Sequence, residues 1–148
     1  MEEYSKLRQK HHLPSFGEMD KLFNISTLDE FTLKEVLKTM ESKIEYLSSV
    51  LEEILQPSPE SLTHINECRH FKQDEKGDIY ILFKKLQFHL RAIVEANIIH
   101  EPESYANVIN TIFRDWPELK QQALPFVKKL KESWNVTDEL REHVEYFG

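Results

Sequence analysis

The strongest regularity in the sequence is a helical repeat of apolar residues between positions 33 and 54. Its members are separated alternately by four and three residues: Leu33, Leu37, Met40, Ile44, Leu47, Leu51 and Ile54. This spacing places them on one side of an α-helix for three heptads. Val36, Val50 and Leu55 widen the apolar side, which is typical of a helix that packs against two neighbours in a bundle. We therefore expect a long helix here, starting at a capping box formed by residues 32–35 or earlier, at Ser26, Thr27 or Asp29.

A second long helix is expected at residues 79–99, the most apolar stretch of the chain. Four of its charged and amide side chains fall on one narrow stripe: Lys84, Gln87, Arg91 and Glu95. The stretch is long enough to cross a bilayer, but each charge near the bilayer centre would cost about 2.5–3.5 kcal/mol, so we exclude a membrane span. Asp78 is expected to cap this helix after a turn at residues 73–77.

Shorter helices are expected in the rest of the chain, most of them marked by a capping residue or a proline. They cover residues 16–23 after Ser15, 59–71 after Ser58, 105–113, 116–134 and 137–147. Pro125 lies inside a helical pattern and should kink or split it. Residues 1–13 are mostly polar and are expected to form a flexible N-terminal tail. The sequence thus predicts an all-α fold, with residues 14–148 forming a single-domain helical bundle of five to seven helices, two of them long and central.

The composition restricts the function more than the fold. Of the 148 residues, 40% are hydrophobic and 30% are charged, which fits one globular domain rather than a disordered or a membrane protein. The formal net charge of −7 argues against a general nucleic-acid binder, and three glycines leave no glycine-rich phosphate loop. Cys68 is the single cysteine, so an intramolecular disulfide is excluded. Since no apolar export signal follows Met1, the expected location is the cytoplasm.

The densest group of chemically active side chains lies between residues 64 and 70. Its members are His64, Glu67, Cys68, Arg69 and His70. On a helix, His64 and Cys68 share a face with Glu67 beside them, and all three side-chain types bind zinc. Glu67 and His70 also have the spacing of di-iron carboxylate bundles, although no second such pair occurs. Cys68 beside Arg69 is a candidate nucleophile, but no signature of a cysteine enzyme surrounds it. The alternative is a surface helix with solvated polar groups.

Two further polar residues, His89 and Asn97, lie two helical turns apart, away from the charged stripe of the second long helix. A polar side chain buried there needs a partner, because leaving it unpaired costs about 1–3 kcal/mol. They are either a ligand-facing pair or structural residues, in a buried hydrogen-bond network or at an edge of the bundle, and we favour the structural interpretation. His89 could also complete a metal site with His64 and Cys68 if their helices pack side by side.

Charge is distributed unevenly along the chain. Residues 28–60 carry eight carboxylates against three lysines, and residues 116–134 carry four lysines against two carboxylates. The acidic helix offers an interaction surface of four residues: Glu41, Glu45, Glu52 and Glu53. A basic partner would fit the acidic part, and phosphates could contact the basic part. The alternative for both parts is an ordinary solvated helix face.

These patterns favour a non-enzymatic helical module that binds another protein or a second copy of itself. The first alternative is a helical bundle that binds a metal or a small ligand through residues 64–70. Such a bundle could also be an enzyme. The second is a weak RNA-associated factor that uses the lysines near the C-terminus. No catalytic residue and no cofactor is predicted, the metal is left open, and binding to nucleic acid or to a membrane is not expected.

Overall fold

The computed structural model describes residues 2–136, and over this range the chain is helical without strands. Six α-helices follow one another: α1 (Glu2–His11), α2 (Phe16–Phe23), α3 (Leu33–Leu55), α4 (Leu62–Cys68), α5 (Gln73–Ile99) and α6 (Pro102–Glu132). Helices α3, α5 and α6 pack against one another, which makes the protein a single-domain helical bundle and confirms the predicted fold class. The helix expected at residues 137–147 lies outside the described residues.

Helix α3 confirms the predicted apolar repeat. Thr32 caps it, since its side-chain oxygen accepts a hydrogen bond from the Glu35 amide at 3.1 Å. Six of the seven repeat residues are buried and Leu47 is half-buried. Val36 is fully buried as well, and α3 packs against both α5 and α6. The width of the apolar side therefore reflects two neighbouring helices.

Helix α5 begins at Gln73, earlier than expected, so the turn assigned to residues 73–77 and the cap assigned to Asp78 were wrong. The Glu75 carboxylate accepts a hydrogen bond from the Lys72 amide at 3.0 Å. It also accepts from Lys129 Nζ of α6 at 2.7 Å. Both contacts lower the pKa of Glu75, that from Lys129 the more. The Glu75 carboxylate thus caps α5 and also bonds it to α6. These contacts stabilise the polar residues 73–78 as the first part of α5.

Helix α6 is continuous from Pro102 to Glu132, so its predicted division near residue 115 was wrong. It crosses Pro117 and Pro125, both on the exposed side, where water can hydrate the carbonyl groups that lose their amide partner. Trp116, Leu119 and Ala123 are buried on the opposite side and hold the helix against the bundle. The bundle consequently has three long helices, one more than expected.

Helix α4 is shorter than the helix expected between Pro59 and residue 71. It begins after Ser61, whose Oγ accepts a hydrogen bond from the His64 amide at 3.2 Å. Pro59 lies in the preceding turn, so Ser58 is not the cap. In contrast, Ser15 caps α2 as expected and accepts from the Glu18 amide at 3.2 Å.

The segment expected to be a flexible tail contains helix α1. Tyr4 of this helix is buried, and its hydroxyl donates to the Pro14 carbonyl at 2.6 Å. The Tyr4 ring also contacts Phe16 and Phe31 edge to face, with ring centroids 5.7 and 6.3 Å away. A buried aromatic anchor within a polar sequence therefore holds α1 to the bundle.

No helix within residues 2–136 has the length and the apolar character that crossing a bilayer requires.

Candidate functional site

The polar residues of α4 are engaged in structural contacts. His64 Nδ1 accepts a hydrogen bond from the Ser58 amide at 3.1 Å, and His64 Nε2 lies 3.5 Å from a carboxylate oxygen of Glu53. His70 Nδ1 lies 2.8 Å from the Asn66 carbonyl oxygen. The histidines therefore stabilise the ends of α4 and its contact with α3.

The remaining residues of the predicted ligand segment connect α4 to its neighbours. Glu67 accepts a hydrogen bond from the Trp134 indole at 3.0 Å, and Lys76 Nζ lies 3.3 Å from Cys68 Sγ. The Arg69 amide caps the end of α4 by donating to carbonyl groups within it. Within residues 2–136, no three histidine, cysteine or acidic side chains come together as a metal site.

His89 is buried between α5 and α6, and Asp115 of α6 is its partner. His89 Nε2 lies 3.2 Å from Asp115 Oδ2. Burial lowers the pKa of His89, and this effect outweighs the nearby Asp115 carboxylate, which raises it. The neutral ring donates through Nε2 and leaves Nδ1 as a buried acceptor without a partner among the described residues. Asn97 is exposed near the end of α5, so the two residues do not form a joint site.

A cavity of about 480 Å³ lies beside His89, between α5 and α6. Its polar lining is mixed in charge: Lys84, Lys85, Asp115, Glu118 and Gln122. Lys85 Nζ donates to Gln122 at 3.3 Å, and the Gln122 amide donates to Glu118 at 3.2 Å. We call this cavity the polar groove. Because most of its polar groups are already bonded to one another, it has little excess charge with which to select a ligand.

A second cavity of about 470 Å³ lies between α3 and α6, and we call it the apolar groove. Large apolar side chains are exposed along it: the exposed fraction is 75% for Tyr46, 51% for Leu124 and 37% for Val127. Trp116 also lines the groove, and its buried indole N–H has no acceptor among the described residues. The groove is lined in full by Ser42, Lys43, Tyr46, Leu47, Trp116, Lys120, Ala123, Leu124 and Val127.

Among the described residues, the charged side chains that line the apolar groove are two lysines and no carboxylate. Lys43 and Lys120 lie on opposite helices. Lys43 Nζ also donates to the Leu22 carbonyl at 3.2 Å, which holds its side chain in place. An apolar floor with cations on both sides is suited to an apolar ligand that carries negative charge.

The four glutamates predicted as an interaction surface separate into two groups. Glu41, Glu45 and Glu52 follow one another at intervals of four and seven residues, so they share one stripe of α3. Burial and the neighbouring Glu45 carboxylate raise the pKa of Glu41. Glu53 is one residue beyond this stripe and contacts His64 of α4 instead. One of the four glutamates is thus engaged by α4, and the interaction surface itself stays a prediction.

Sequence reasoning missed Asp115 and the members of the apolar groove. Asp115 meets His89 only because α5 and α6 pack side by side, which no local spacing reveals. A signal for the groove was present: residues 119–130 carry more apolar side chains than one helix face accommodates. Leu124 and Val127 are the surplus, and they are the residues that remain exposed.

Comparisons of this chain with protein-family models, with curated proteins and with solved structures found no match.

Proposed function

We propose that the protein is a non-enzymatic interaction module whose apolar groove binds an acidic amphipathic helix of a partner protein. The observation that carries the proposal is the combination of exposed Tyr46, Leu124 and Val127 with a rim on which the described residues place lysines and no carboxylate. Apolar patches with polar rims are typical of interaction sites, and amphipathic helices commonly bind in grooves of this kind. The indole N–H of Trp116 has no acceptor within residues 2–136, which is consistent with a site that a partner completes.

The alternative functions receive less support. A small ligand in the polar groove would compete with existing contacts, such as the hydrogen bond from Lys85 to Gln122. A metal on α4 would have to displace the partners of His64 and Cys68. For RNA binding the lysines of α6 are divided, because Lys129 pairs with Glu75. The acidic stripe of α3 and the cytoplasmic location stay predictions.

The test uses two synthetic helical peptides of about 18 residues, or five turns, with the same leucine face. One carries glutamate on its polar face and the other carries lysine. We expect the acidic peptide to bind the full chain at least about tenfold more tightly, with an affinity that falls as salt is added. Fluorescence anisotropy of labelled peptides measures both dissociation constants.

Charge reversal in the groove gives the matched variants. Lys120→Glu should weaken binding of the acidic peptide about tenfold, whereas Lys128→Glu, on the same helix but outside the lining, should change it much less. Leu124→Glu should also abolish binding, with Leu62→Glu as the control at an exposed leucine on α4. Equal binding of the two peptides, or equal effects of the two lysine variants, would refute the proposal.

A further inference from the structure

Six large apolar side chains of α5 are exposed, and three of them follow one stripe on its solvent-facing side. The exposed fraction is 55% for Ile81, 70% for Phe88 and 79% for Ile98. They alternate with charged residues at intervals of three and four: Ile81, Lys84, Phe88, Arg91, Glu95 and Ile98. We call these six residues the outer face of α5. The interval is that of a coiled-coil seam, and it lies opposite the seam with which α5 packs on α3 and α6.

The outer face is complementary to itself when a second α5 helix lies antiparallel to the first. About a centre between residues 89 and 90, each residue of the first half has a suitable counterpart in the second half. Ile81 corresponds to Ile98, Lys84 to Glu95 and Phe88 to Arg91. These are an apolar pair, an ion pair and a cation–π pair.

We infer that the outer face binds the same face of a second copy, with the two α5 helices antiparallel about a two-fold axis at this centre. Symmetry then forms every pair twice, as in an isologous interface. Within residues 2–136, neither Arg91 nor Glu95 forms an ion pair. The second copy would bring its Phe88 ring to Arg91 and its Lys84 to Glu95. The interface is separate from the apolar groove, although Lys84 and Phe88 also line the polar groove, which the second copy would partly cover.

Other arrangements of two α5 helices are less favourable. A parallel pair would place Lys84 on Lys84 and Arg91 on Arg91, and like charges in contact are destabilising. An antiparallel pair shifted by one heptad can retain a contact between Arg91 and Glu95. It would leave Ile81 and Lys84 without counterparts within the helix, so a third of the outer face would be unused.

The test is the mass of the full chain in solution, measured by light scattering and by sedimentation over a concentration series. We expect a species of twice the 17.7 kDa chain mass. Lys84→Glu and Glu95→Lys should each weaken the dimer by roughly tenfold or more, because symmetry breaks two pairs at once. The double variant should restore the dimer, since the two charges are exchanged, and Phe88→Ser should weaken it independently of charge.

Lys128→Glu serves as the control for charge reversal outside the outer face, and circular dichroism shows whether each variant is folded. A monomer at every concentration would overturn the inference. A dimer that withstands both single charge variants, or that the double variant does not restore, would overturn it as well. Because the peptide assay concerns another surface, loss of the dimer should leave binding of the acidic peptide unchanged.

Discussion

Polar side chains in the core of this bundle join helices to one another. Among the described residues, three polar residues are buried: Ser48, His89 and Ser133. Ser48 accepts a hydrogen bond from Gln87 of α5 at 2.8 Å. The Ser133 hydroxyl accepts one from Asn66 of α4 at 3.4 Å, and His89 is held by Asp115. An unpaired polar group in these places costs more than a bond contributes, so such pairs select one alignment of the helices.

His89 makes the stability of the protein depend on pH. Its pKa is lowered in the folded state by burial, whereas in the unfolded chain it is near 6.5. Below about pH 6.5 the unfolded chain therefore takes up a proton that the folded protein resists. The free energy of unfolding should fall as the pH drops through this value. The stability that the neutral His89 ring contributes is fully present above pH 6.5. It is lost progressively as the pH falls from 6.5 towards the lower pKa of His89 in the folded protein.

His89→Gln should reduce this dependence. We expect it to lower stability by about 1 kcal/mol at neutral pH, because the bond to Asp115 is weakened. Between about pH 7.5 and about pH 5.5, the variant should lose less stability than the natural protein. Urea denaturation at both pH values measures the difference, with His12→Asn as the control at an exposed histidine. Equal losses in the natural protein and the His89 variant would contradict the assignment of this titration to His89.

Among the elements, α6 is held together more by packing than by the propensities of its residues. Two prolines interrupt its hydrogen-bond pattern, and yet it remains one helix of 31 residues. Pro125 is exposed, so replacing it removes no buried contact of its own. A proline in a helix interior costs about 3 kcal/mol relative to alanine, of which up to about 1 kcal/mol is offset by the stiffer unfolded chain.

Pro125→Ala should therefore raise the free energy of unfolding by about 2 kcal/mol. Pro59→Ala is the matched control, because Pro59 lies in a turn outside the helices, and its replacement should lower stability by up to about 1 kcal/mol. Chemical denaturation of both variants gives the two values. If Pro125→Ala were destabilising instead, a bend at this proline would be required for α6 to pack, and helix propensity would be the smaller effect.

The accuracy of the sequence predictions follows from the range of the interactions that decide each element. Helix α3 was predictable because its cap and its repeat are local signals, and both agree. The start of α5 was not, because Glu75 owes part of its role to Lys129, 54 residues away. The range of the interactions also decides which parts of the candidate sites could be predicted. Spacing singled out His89 but could not supply Asp115, and it grouped His64 with Cys68 although each side chain has its own partner.

At the scale of the whole molecule, the three long helices and helix α1 differ in how they are attached to the rest of the bundle. Helices α3, α5 and α6 contact one another along their lengths, whereas α1 is attached largely through Tyr4 and the aromatic rings around it. Burial raises the pKa of Tyr4 to about 12, so its hydroxyl remains a donor to Pro14 throughout the neutral range. Regions with few buried contacts commonly open before the rest of a protein unfolds.

Native-state hydrogen exchange should accordingly divide the molecule into two parts. We expect the amides of α1 to exchange through a local opening with a lower free energy than that of α3, α5 and α6. Tyr4→Phe removes the hydrogen bond to Pro14 and should lower the opening free energy of α1 by about 1 kcal/mol, while the long helices keep their protection. Tyr46→Phe, at a largely exposed tyrosine, is the control and should leave both parts unchanged. A uniform loss of protection in Tyr4→Phe would mean that α1 unfolds together with the three long helices. In that case the aromatic anchor belongs to a single cooperative core, because its loss would lower the opening free energy of every helix equally.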